Sequence, residues 1–263
     1  MSRHKQTGKK APEGLPTPRI LGDSELSGLL KAQLHFDRRG AYDADFVSRG
    51  IFGPRFNNED VGYNEIHGVA FHEIVPEAVR QGQGLVRLLD AGCGAGVFVE
   101  EIQAVVDKDP TLKGRFNAMG LALTRRLTYR EPDGKHEVVT VDLAPQIKAG
   151  TIKVGHAEDM PFQDEFFNLL VETQGPLAYY SKHPERRLKV YNEYYRVLAP
   201  GGVMFLADKH GTGYLDKEDK LKGGALRGFI QEHPDAYLET PKTGGSFSLP
   251  AVQRLHIRKP VTH

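Results

Sequence analysis

The sequence lacks several features that would assign a protein class at once. Its 263 residues include a single cysteine, Cys93, so no disulfide can form within the chain and a reducing, cytoplasmic location is expected. No apolar run reaches the roughly 18 residues of a membrane-spanning helix, and the N-terminus lacks the apolar core of a signal peptide. The 35 Lys and Arg residues balance the 34 Asp and Glu residues, so no net charge points to nucleic acid or to a membrane surface. The 11 histidines show no spacing typical of a metal site.

The most informative stretch joins an apolar run to three glycines at alternate positions. Residues 86–89 are mostly apolar and lead into Asp90, and glycines follow at positions 92, 94 and 96. Glycine has no Cβ and adopts positive φ readily, so such a loop bends tightly and lets a ligand approach the backbone. Apolar residues then recur at helical spacing. The pattern predicts a buried strand, a glycine loop and a helix, with Cys93 as a small filler inside the loop.

The spacing of the glycines separates two classes of ligand. A dinucleotide fingerprint, G-x-G-x-x-G, would place its third glycine at position 97, which is Val97 here. The observed D-x-G-x-G-x-G pattern resembles motif I of the class I S-adenosylmethionine-dependent methyltransferases. In that family the cofactor's carboxylate can lie near the helix N-terminus, where free N–H groups favour an anion, and the acid can serve its ammonium. The resemblance implies that the cofactor contacts Asp90, Ala91, Gly92, Cys93, Gly94 and Gly96.

The second strand has two candidate registers. Residues 116–123 leave room for one helix after the glycine loop, and this register places Leu121 and Ala122 beside the cofactor. Residues 138–143 would instead place Asp142 where the family has an acid that hydrogen-bonds the ribose, but they leave too few residues for a crossover helix before the next strand. We favour the first register, in which Ala122 replaces the ribose acid.

A second motif follows at residues 155–162, with the sequence GHAEDMPF. It resembles the G-D-A-E-x-L-P-F motif of small-molecule-type class I methyltransferases, in which this loop frames the adenine. The resemblance implies that Ala157 and Glu158 present backbone to the ring. His156 replaces the aspartate of the family, and a neutral imidazole nitrogen can accept the same hydrogen bond from the adenine amino group.

The fourth predicted strand, residues 166–171, ends beside the expected site. In open α/β sheets, ligands bind outside the carboxyl ends of the strands, at the switch point between the first strand and the fourth. We therefore expect Glu172, Thr173 and Gln174 where cofactor and acceptor meet. Glu172 is the candidate general base for an acceptor that must lose a proton.

A helical pattern over residues 64–81 precedes the first strand, with a bend or restart expected at Pro76. In the methyltransferases that the chain resembles, helices at this place close over the cofactor and help to form the acceptor pocket. The candidate acceptor contacts are aromatic side chains from this segment and from the loop after the fourth strand: Tyr63, His67, His72, Tyr179 and Tyr180.

The last third of the sequence continues the pattern of the family. Pro184 occupies the favoured first turn of a helix that ends at a Pro-Gly-Gly turn, and residues 203–207 form a fifth buried strand. Later β-prone pieces, including residues 251–257, suit a sixth strand and an antiparallel seventh. The predicted fold is therefore α/β: a Rossmann-like, seven-stranded, mostly parallel sheet with helices on both faces and an antiparallel last strand.

We expect a disordered basic tail over residues 1–19, an N-terminal helical cap over 20–84, and a class I methyltransferase domain over 85–263 with an insertion at about 131–148. The resemblance implies an S-adenosylmethionine-dependent methyltransferase that transfers a methyl group by an SN2 step to an O, N or C nucleophile on a small molecule. Two alternatives stay open. One is a methyltransferase-like binding or regulatory module without catalysis, prompted by the missing ribose acid. The other is a nicotinamide-dependent oxidoreductase, which Val97 disfavours.

Overall fold

The computed structural model describes residues 42–43, 55–56, 59–60, 62–130, 138–173, 175–180, 183–208, 224–239 and 253–261. The predicted tail and most of the predicted cap lie outside these ranges. The strands are β1 (Tyr42–Asp43), β2 (Arg55–Phe56), β3 (Glu59–Asp60), β4 (Val86–Ala91), β5 (Phe116–Ala122), β6 (Arg126–Arg130), β7 (Val138–Asp142), β8 (Ile152–Val154), β9 (Phe167–Thr173), β10 (Leu198–Asp208), β11 (Tyr237–Glu239) and β12 (Gln253–Arg258). The helices are α1 (Tyr63–His67), α2 (Phe71–Gln81), α3 (Val97–Asp107), α4 (Ala144–Ala149), α5 (Pro176–Tyr179), α6 (Pro184–Val197) and α7 (Ala225–Glu232). None of these helices is long and apolar enough to cross a bilayer.

The centre of the molecule is a seven-stranded sheet in the order β11–β12–β10–β9–β4–β5–β8. Strand β4 pairs in parallel with β5 and β9, β5 pairs with β8, and β9 pairs with β10. Strand β12 runs antiparallel to both of its neighbours. The chain winds outward from β4 to β8 and then returns to β9 on the other side of β4, so the switch point lies between β4 and β9. This topology confirms the predicted fold class.

Helices cover both faces of the sheet because successive side chains of its buried strands point to opposite sides. Leu88 belongs to the cluster on one face, where α2 and α3 contribute side chains such as Phe98. Its neighbour Leu89 belongs to the cluster on the other face, where α6 and α7 contribute Tyr191 and Phe229. Full burial of such a side chain contributes about 1.5–3 kcal/mol. These two clusters hold the carboxyl ends of the central strands in fixed positions.

The second strand lies in the favoured register. Strand β5 pairs with β4 so that Gly120 lies opposite Asp90. The rival segment forms β7, which pairs antiparallel with β6 in a small sheet of its own. The extra hairpin begins at Arg126, before the expected insertion. Residues 144–149 form the short helix that returns the chain to β8, although the sequence analysis found too few residues there for a helix.

The helical segment before β4 is broken at a different place from the one expected. Helix α1 ends at His67, and Gly68 follows with a φ of 65°. Helix α2 then runs without interruption through Pro76, which is buried. The predicted restart at Pro76 is therefore wrong, because the left-handed backbone at Gly68 makes the break instead.

Helix α7 was not predicted, and β10 is longer than expected. Helix α7 lies in the segment after the fifth strand and contacts α6 through Phe229, which packs on Tyr191 and Tyr195. Strand β10 starts at Leu198 and continues to Asp208, with a register irregularity across the Pro-Gly-Gly turn. Both features lie on the side of the sheet away from β8.

Candidate active site

The loop between β4 and α3 has the geometry that its glycines predict. Gly92, Gly94 and Gly96 have positive φ values of 89°, 53° and 82°. A Cβ at Gly92 would lie 3.1 Å from Gly175 Cα, and a Cβ at Gly96 would lie 2.8 Å from Ile152 Cδ1. Packing and backbone conformation therefore both require glycine at positions 92 and 96. At position 94 the backbone conformation requires it.

The glycine loop is fixed to the end of β5. The carbonyl of Leu121 accepts hydrogen bonds from the N–H groups of Gly92 at 3.0 Å and Cys93 at 3.2 Å. Cys93 is buried, and a Cβ on Gly120 would lie 2.5 Å from its Sγ. Burial raises the pKa of the Cys93 thiol, and the charge of Asp90 raises it further. Cys93 is therefore a neutral thiol that fills the space under the loop.

The N-terminus of α3 faces the same loop. Gly96 is its N-cap residue, and no side chain in the described part of the chain caps it. The first N–H groups of a helix have no partners within the helix, and the helix dipole favours an anion beside them. This end of α3 can therefore bind a carboxylate that lies against the glycine loop.

Asp90 is fully buried at the carboxyl end of β4. The hydroxyl of Tyr63 donates to both of its carboxylate oxygens, at 3.2 Å and 3.0 Å, and the Tyr63 ring stacks on Phe98 with 4.1 Å between centroids. Burial raises the pKa of Asp90 from 3.8 to about 7; the hydrogen bond from Tyr63 lowers it and the charge of Glu172 raises it. A bound cation would favour the ionised form of this carboxyl.

Glu172 lies at the switch point, as expected, and is fully buried. One carboxylate oxygen accepts a hydrogen bond from the Leu177 N–H at 3.0 Å, and the other accepts a short hydrogen bond from the Tyr194 hydroxyl. Burial raises the pKa of Tyr194, and the charge of Glu172 raises it further, so this hydroxyl keeps its proton. Glu172 thus ties the start of α5 to α6, and its role as a base stays a prediction.

Residues 155–162 form a turn that α6 holds in place. Glu193 accepts a hydrogen bond from the Met160 N–H at 2.9 Å. Arg196 donates to the carbonyls of Phe162 at 2.9 Å and Met160 at 3.2 Å, and it also pairs with Glu193. The conformation of the predicted adenine loop therefore depends on two charged side chains of a neighbouring helix.

His156 uses both of its ring nitrogens within the protein. The Glu158 N–H donates to Nδ1 at 3.2 Å, and Nε2 lies 3.0 Å from the Tyr180 hydroxyl. Arg186 donates to the same hydroxyl at 3.0 Å and pairs with the Glu158 carboxylate. Burial raises the pKa of Tyr180, while the charge of Arg186 lowers it. The predicted bond from His156 to an adenine amino group therefore requires His156 to give up its hydrogen bond with Glu158 or with Tyr180. The neighbouring Ala157 is buried in the core.

The cap is tied to the end of β9 as well as to Asp90. His67 is fully buried, and its Nε2 lies 2.7 Å from Thr173 Oγ1. Burial lowers the pKa of His67, and the charges of His256 and Arg254 lower it further. Arg254, from the last strand, also donates to the Ile66 carbonyl at 2.6 Å. Strands β4, β9 and β12 thus all contact the short helix α1.

Some predicted site residues lie elsewhere or outside the described residues. Ala122 ends β5 and is buried without a side-chain acceptor for a ribose. Asp142 lies at the base of the hairpin, where it accepts hydrogen bonds from Arg125 at 3.0 Å and 3.1 Å. Gln174 and the side chain of Tyr179 are outside the described part of the chain.

Several contacts of the site were missed by the sequence analysis. Tyr194 follows Tyr191 at helical spacing, so its place on the inner face of α6 was detectable. Arg186 and Arg254 carry no local signal, because their partners come from distant segments. Of the cap residues, His72 lies apart on α2, where it hydrogen-bonds to Asn64 at 2.8 Å. In the ranges that the structure covers, no group of three or more His, Cys, Asp or Glu side chains could hold a metal ion.

Comparison with known proteins gives one informative match. Residues 89–206 match the sequence profile of a family described as methyltransferase domain. A comparison with curated proteins gives no significant match. The matched segment contains the glycine loop, the loop at 155–162 and the loop after β9, and it agrees with the predicted resemblance to methyltransferases.

Solved structures with a similar fold include three that differ in breadth of coverage. A SAM-dependent methyltransferase from Aquifex aeolicus is 13% identical, covering 74% of this chain and 93% of its own, with a TM-score of 0.41. Phosphoethanolamine N-methyltransferase 2 of Haemonchus contortus, bound to phosphomonomethylethanolamine and S-adenosylhomocysteine, is 15% identical, covering 88% and 60%, with a TM-score of 0.47. A possible exported protein from Bordetella parapertussis is 14% identical, covering 90% and 88%, with a TM-score of 0.47. At these sequence identities and TM-scores the solved structures carry no argument about function, and the resemblance to methyltransferases depends on the family match alone.

Proposed function

We propose that the protein is an S-adenosylmethionine-dependent methyltransferase that acts on a small molecule, and the match of residues 89–206 to the methyltransferase domain profile supports this proposal. The acceptor atom is an O, N or C nucleophile, and transfer is a direct SN2 step. The observation that carries this proposal is the buried carboxyl of Asp90 at the end of β4, beside three glycines of positive φ and the uncapped N-terminus of α3. An amino acid that carries an ammonium and a carboxylate matches these two charged ends.

The residues of the site divide the work of binding. The N-terminus of α3 would hold the carboxylate of the cofactor, and Asp90 would hold its ammonium. Gly94 would let the cofactor lie against bare backbone. S-adenosylmethionine supplies a methyl group on a positively charged sulfur, so the protein contributes mainly in-line positioning. The side chains at the ends of β4 and β9 would exclude water from the methyl group, since Asp90 and Glu172 are both fully buried.

A second candidate function is a binding or regulatory module without catalysis. Two observations favour it: Ala122 stands where the family has a ribose acid, and His156 is engaged by Glu158 and Tyr180. Both departures remove contacts that the resemblance implies for the cofactor. Binding of the cofactor without transfer to any acceptor would support this alternative.

The single cysteine supports the proposal of a cytoplasmic location.

The proposal is tested by calorimetric titration with S-adenosylmethionine and S-adenosylhomocysteine. Gly94→Arg adds a long side chain at a φ of 53°, and we expect it to abolish binding. Gly114→Arg is the matched control, because Gly114 also has a positive φ, 77°, but nothing lies within 4 Å of a Cβ there. Binding to the wild type and to Gly114→Arg, but not to Gly94→Arg, would support the proposed site. Failure of the folded wild type to bind either compound would refute it.

A further inference from the structure

His67 is a buried histidine with one ring nitrogen unused. Its side chain is fully buried, and its Nδ1 has no hydrogen-bond partner among the described residues. A buried polar atom without a partner lowers the stability of the folded protein, so such atoms are rare unless a ligand or water uses them. The unused atom lies on α1, which contacts the ends of β4 and β9 at the switch point. This is where acceptor and cofactor are expected to meet.

A chain of hydroxyl groups connects His67 to the carboxyl of Asp90, the residue proposed to bind the ammonium of the cofactor. His67 Nε2 lies 2.7 Å from Thr173 Oγ1. The Thr173 hydroxyl also hydrogen-bonds to Tyr63, an interaction that lowers the pKa of Tyr63, and the Tyr63 hydroxyl donates to Asp90 at 3.0 Å. When every hydroxyl donates toward the carboxylate, Thr173 has no proton left for His67, so Nε2 must carry the imidazole proton. This direction leaves Nδ1 as an unprotonated acceptor.

The surroundings keep His67 uncharged. Burial lowers the pKa of His67, and His256 and Arg254 from β12 lower it further. The pKa of His256 is itself lowered by burial. Tyr63, from the same helix as His67, is 5.9 Å away between ring centroids and keeps its own proton, since burial raises its pKa. A neutral imidazole with a free nitrogen is the form that a general base requires.

We propose that His67 removes the proton of the acceptor during methyl transfer, with Nδ1 as the accepting atom. This inference rests on the proposed function and narrows the acceptor to a nucleophile that carries an O–H or N–H hydrogen. An acceptor lone pair forms the bond to the methyl carbon, while the carbon–sulfur bond breaks and its electron pair stays on sulfur. The proton of the acceptor passes to Nδ1, so the positive charge lost from sulfur reappears on the imidazolium of His67.

The hydrogen-bond chain would stabilise that imidazolium. Its Nε2–H donates to Thr173, Thr173 donates to Tyr63, and Tyr63 donates to the carboxylate of Asp90, so each dipole points toward the negative charge. The same logic lets a buried aspartate orient and stabilise a catalytic histidine in hydrolases. Glu172 is less suited to this role, because its two oxygens accept hydrogen bonds from Leu177 and Tyr194.

The first test is the protonation state of His67, measured by ¹⁵N NMR of histidine-labelled full-length protein bound to S-adenosylhomocysteine. We expect a neutral ring at pH 7, with the proton on Nε2 and none on Nδ1. Thr173→Val should disturb the Nε2 signal because it removes the acceptor hydroxyl. His233 provides the control signal, since it packs on α6 and α7 and should be unchanged by Thr173→Val. A proton on Nδ1, or a charged ring at pH 7, would overturn the proposal.

The second test compares two substitutions that keep different parts of the imidazole. Gln at position 67 can place an amide near Nε2 and retain the contact with Thr173, whereas Asn places its amide near Nδ1; neither titrates. With S-adenosylmethionine labelled in its methyl group and a panel of small alcohols, phenols and amines, His67→Gln and His67→Asn should both lose roughly 10²–10⁴-fold in transfer rate. Their affinity for S-adenosylhomocysteine should stay that of the wild type, and His233→Gln should keep full activity.

The outcomes separate this inference from the proposed function. Loss of cofactor binding in the wild type would refute the proposed function itself. Normal cofactor binding together with full transfer activity in His67→Gln would overturn only the role of His67. Methylation confined to an acceptor without a removable hydrogen, or no transfer to any proton-bearing compound of the panel despite binding, would also count against it.

Discussion

The free energy of unfolding of Asp90→Asn, relative to that of the wild type, should be greater at pH 8 than at pH 5. The variant should also bind the cofactor more weakly. Asp90 is fully buried, and burial raises its pKa to about 7. The folded protein therefore binds this proton more tightly than the unfolded chain does. Asparagine has nearly the same shape, can accept the hydrogen bond from Tyr63, and carries no charge at any pH.

The sign and size of the effect follow from proton linkage. Well below pH 3.8, the pKa of the unfolded carboxyl, the group is protonated in both states and has no influence on the pH dependence of folding. As the pH rises from 4 to 7 the unfolded chain ionises first, so the wild type loses stability; above pH 7 both states are ionised and the loss levels off. With pKa values of 3.8 unfolded and about 7 folded, the loss is roughly 2 kcal/mol at pH 5 and 4 kcal/mol at pH 8.

The measured quantity is the difference in free energy of unfolding between Asp90→Asn and the wild type, from urea titrations at both pH values. We expect it to shift in favour of the variant by roughly 2–3 kcal/mol between pH 5 and pH 8. Any cost of the unpaired amide N–H of Asn is common to both pH values and cancels. Asp142→Asn is the control: Asp142 is exposed and Arg125 lowers its pKa, so that difference should be flat over the same range.

Two results would refute the reasoning about Asp90. A difference between Asp90→Asn and the wild type that does not change with pH would mean that water reaches the carboxyl and keeps its pKa near the usual value. Unchanged affinity for S-adenosylhomocysteine in Asp90→Asn would mean that the carboxyl does not bind the ammonium. The first result would refute the argument from burial, and the second would remove Asp90 from the proposed site.

Two further substitutions test the loop and the cap. Gly96→Ala should lower the free energy of unfolding by about 1–2 kcal/mol because of the left-handed backbone, and by about 1–3 kcal/mol more because the new Cβ overpacks against Ile152. Gly114→Ala should incur the backbone cost alone. Urea unfolding measures both losses of stability, and equal losses would contradict the packing argument. Tyr63→Phe removes the hydrogen bond that lowers the pKa of Asp90, so the affinity for S-adenosylhomocysteine should reach its plateau at a higher pH than in the wild type. A calorimetric pH series that is identical for both proteins would show that Tyr63 does not act on this carboxyl.

The elements of the fold could be predicted because their signals are local. The run from Val86 to Gly96 combines strand, turn and helix signals within a few residues, and its glycines have the positive φ that their spacing indicated. The register of the second strand followed from the length of chain needed for a crossover. The break at Gly68 was missed because a glycine and a proline both stood in the segment, and periodicity alone could not show which of them ends the helix.

The sequence by itself determined the class of fold, the glycine loop and the resemblance to methyltransferases, since each depends on residues that are neighbours along the chain. Only the tertiary structure decided what the polar residues of the site do. Asp90 and Tyr63 are 27 positions apart, and His67 and Thr173 are 106 positions apart, so no local pattern could pair them. The pKa values of Asp90 and His67 depend on burial and on charges from distant strands, and these exist only once the cap has packed on the ends of β4, β9 and β12.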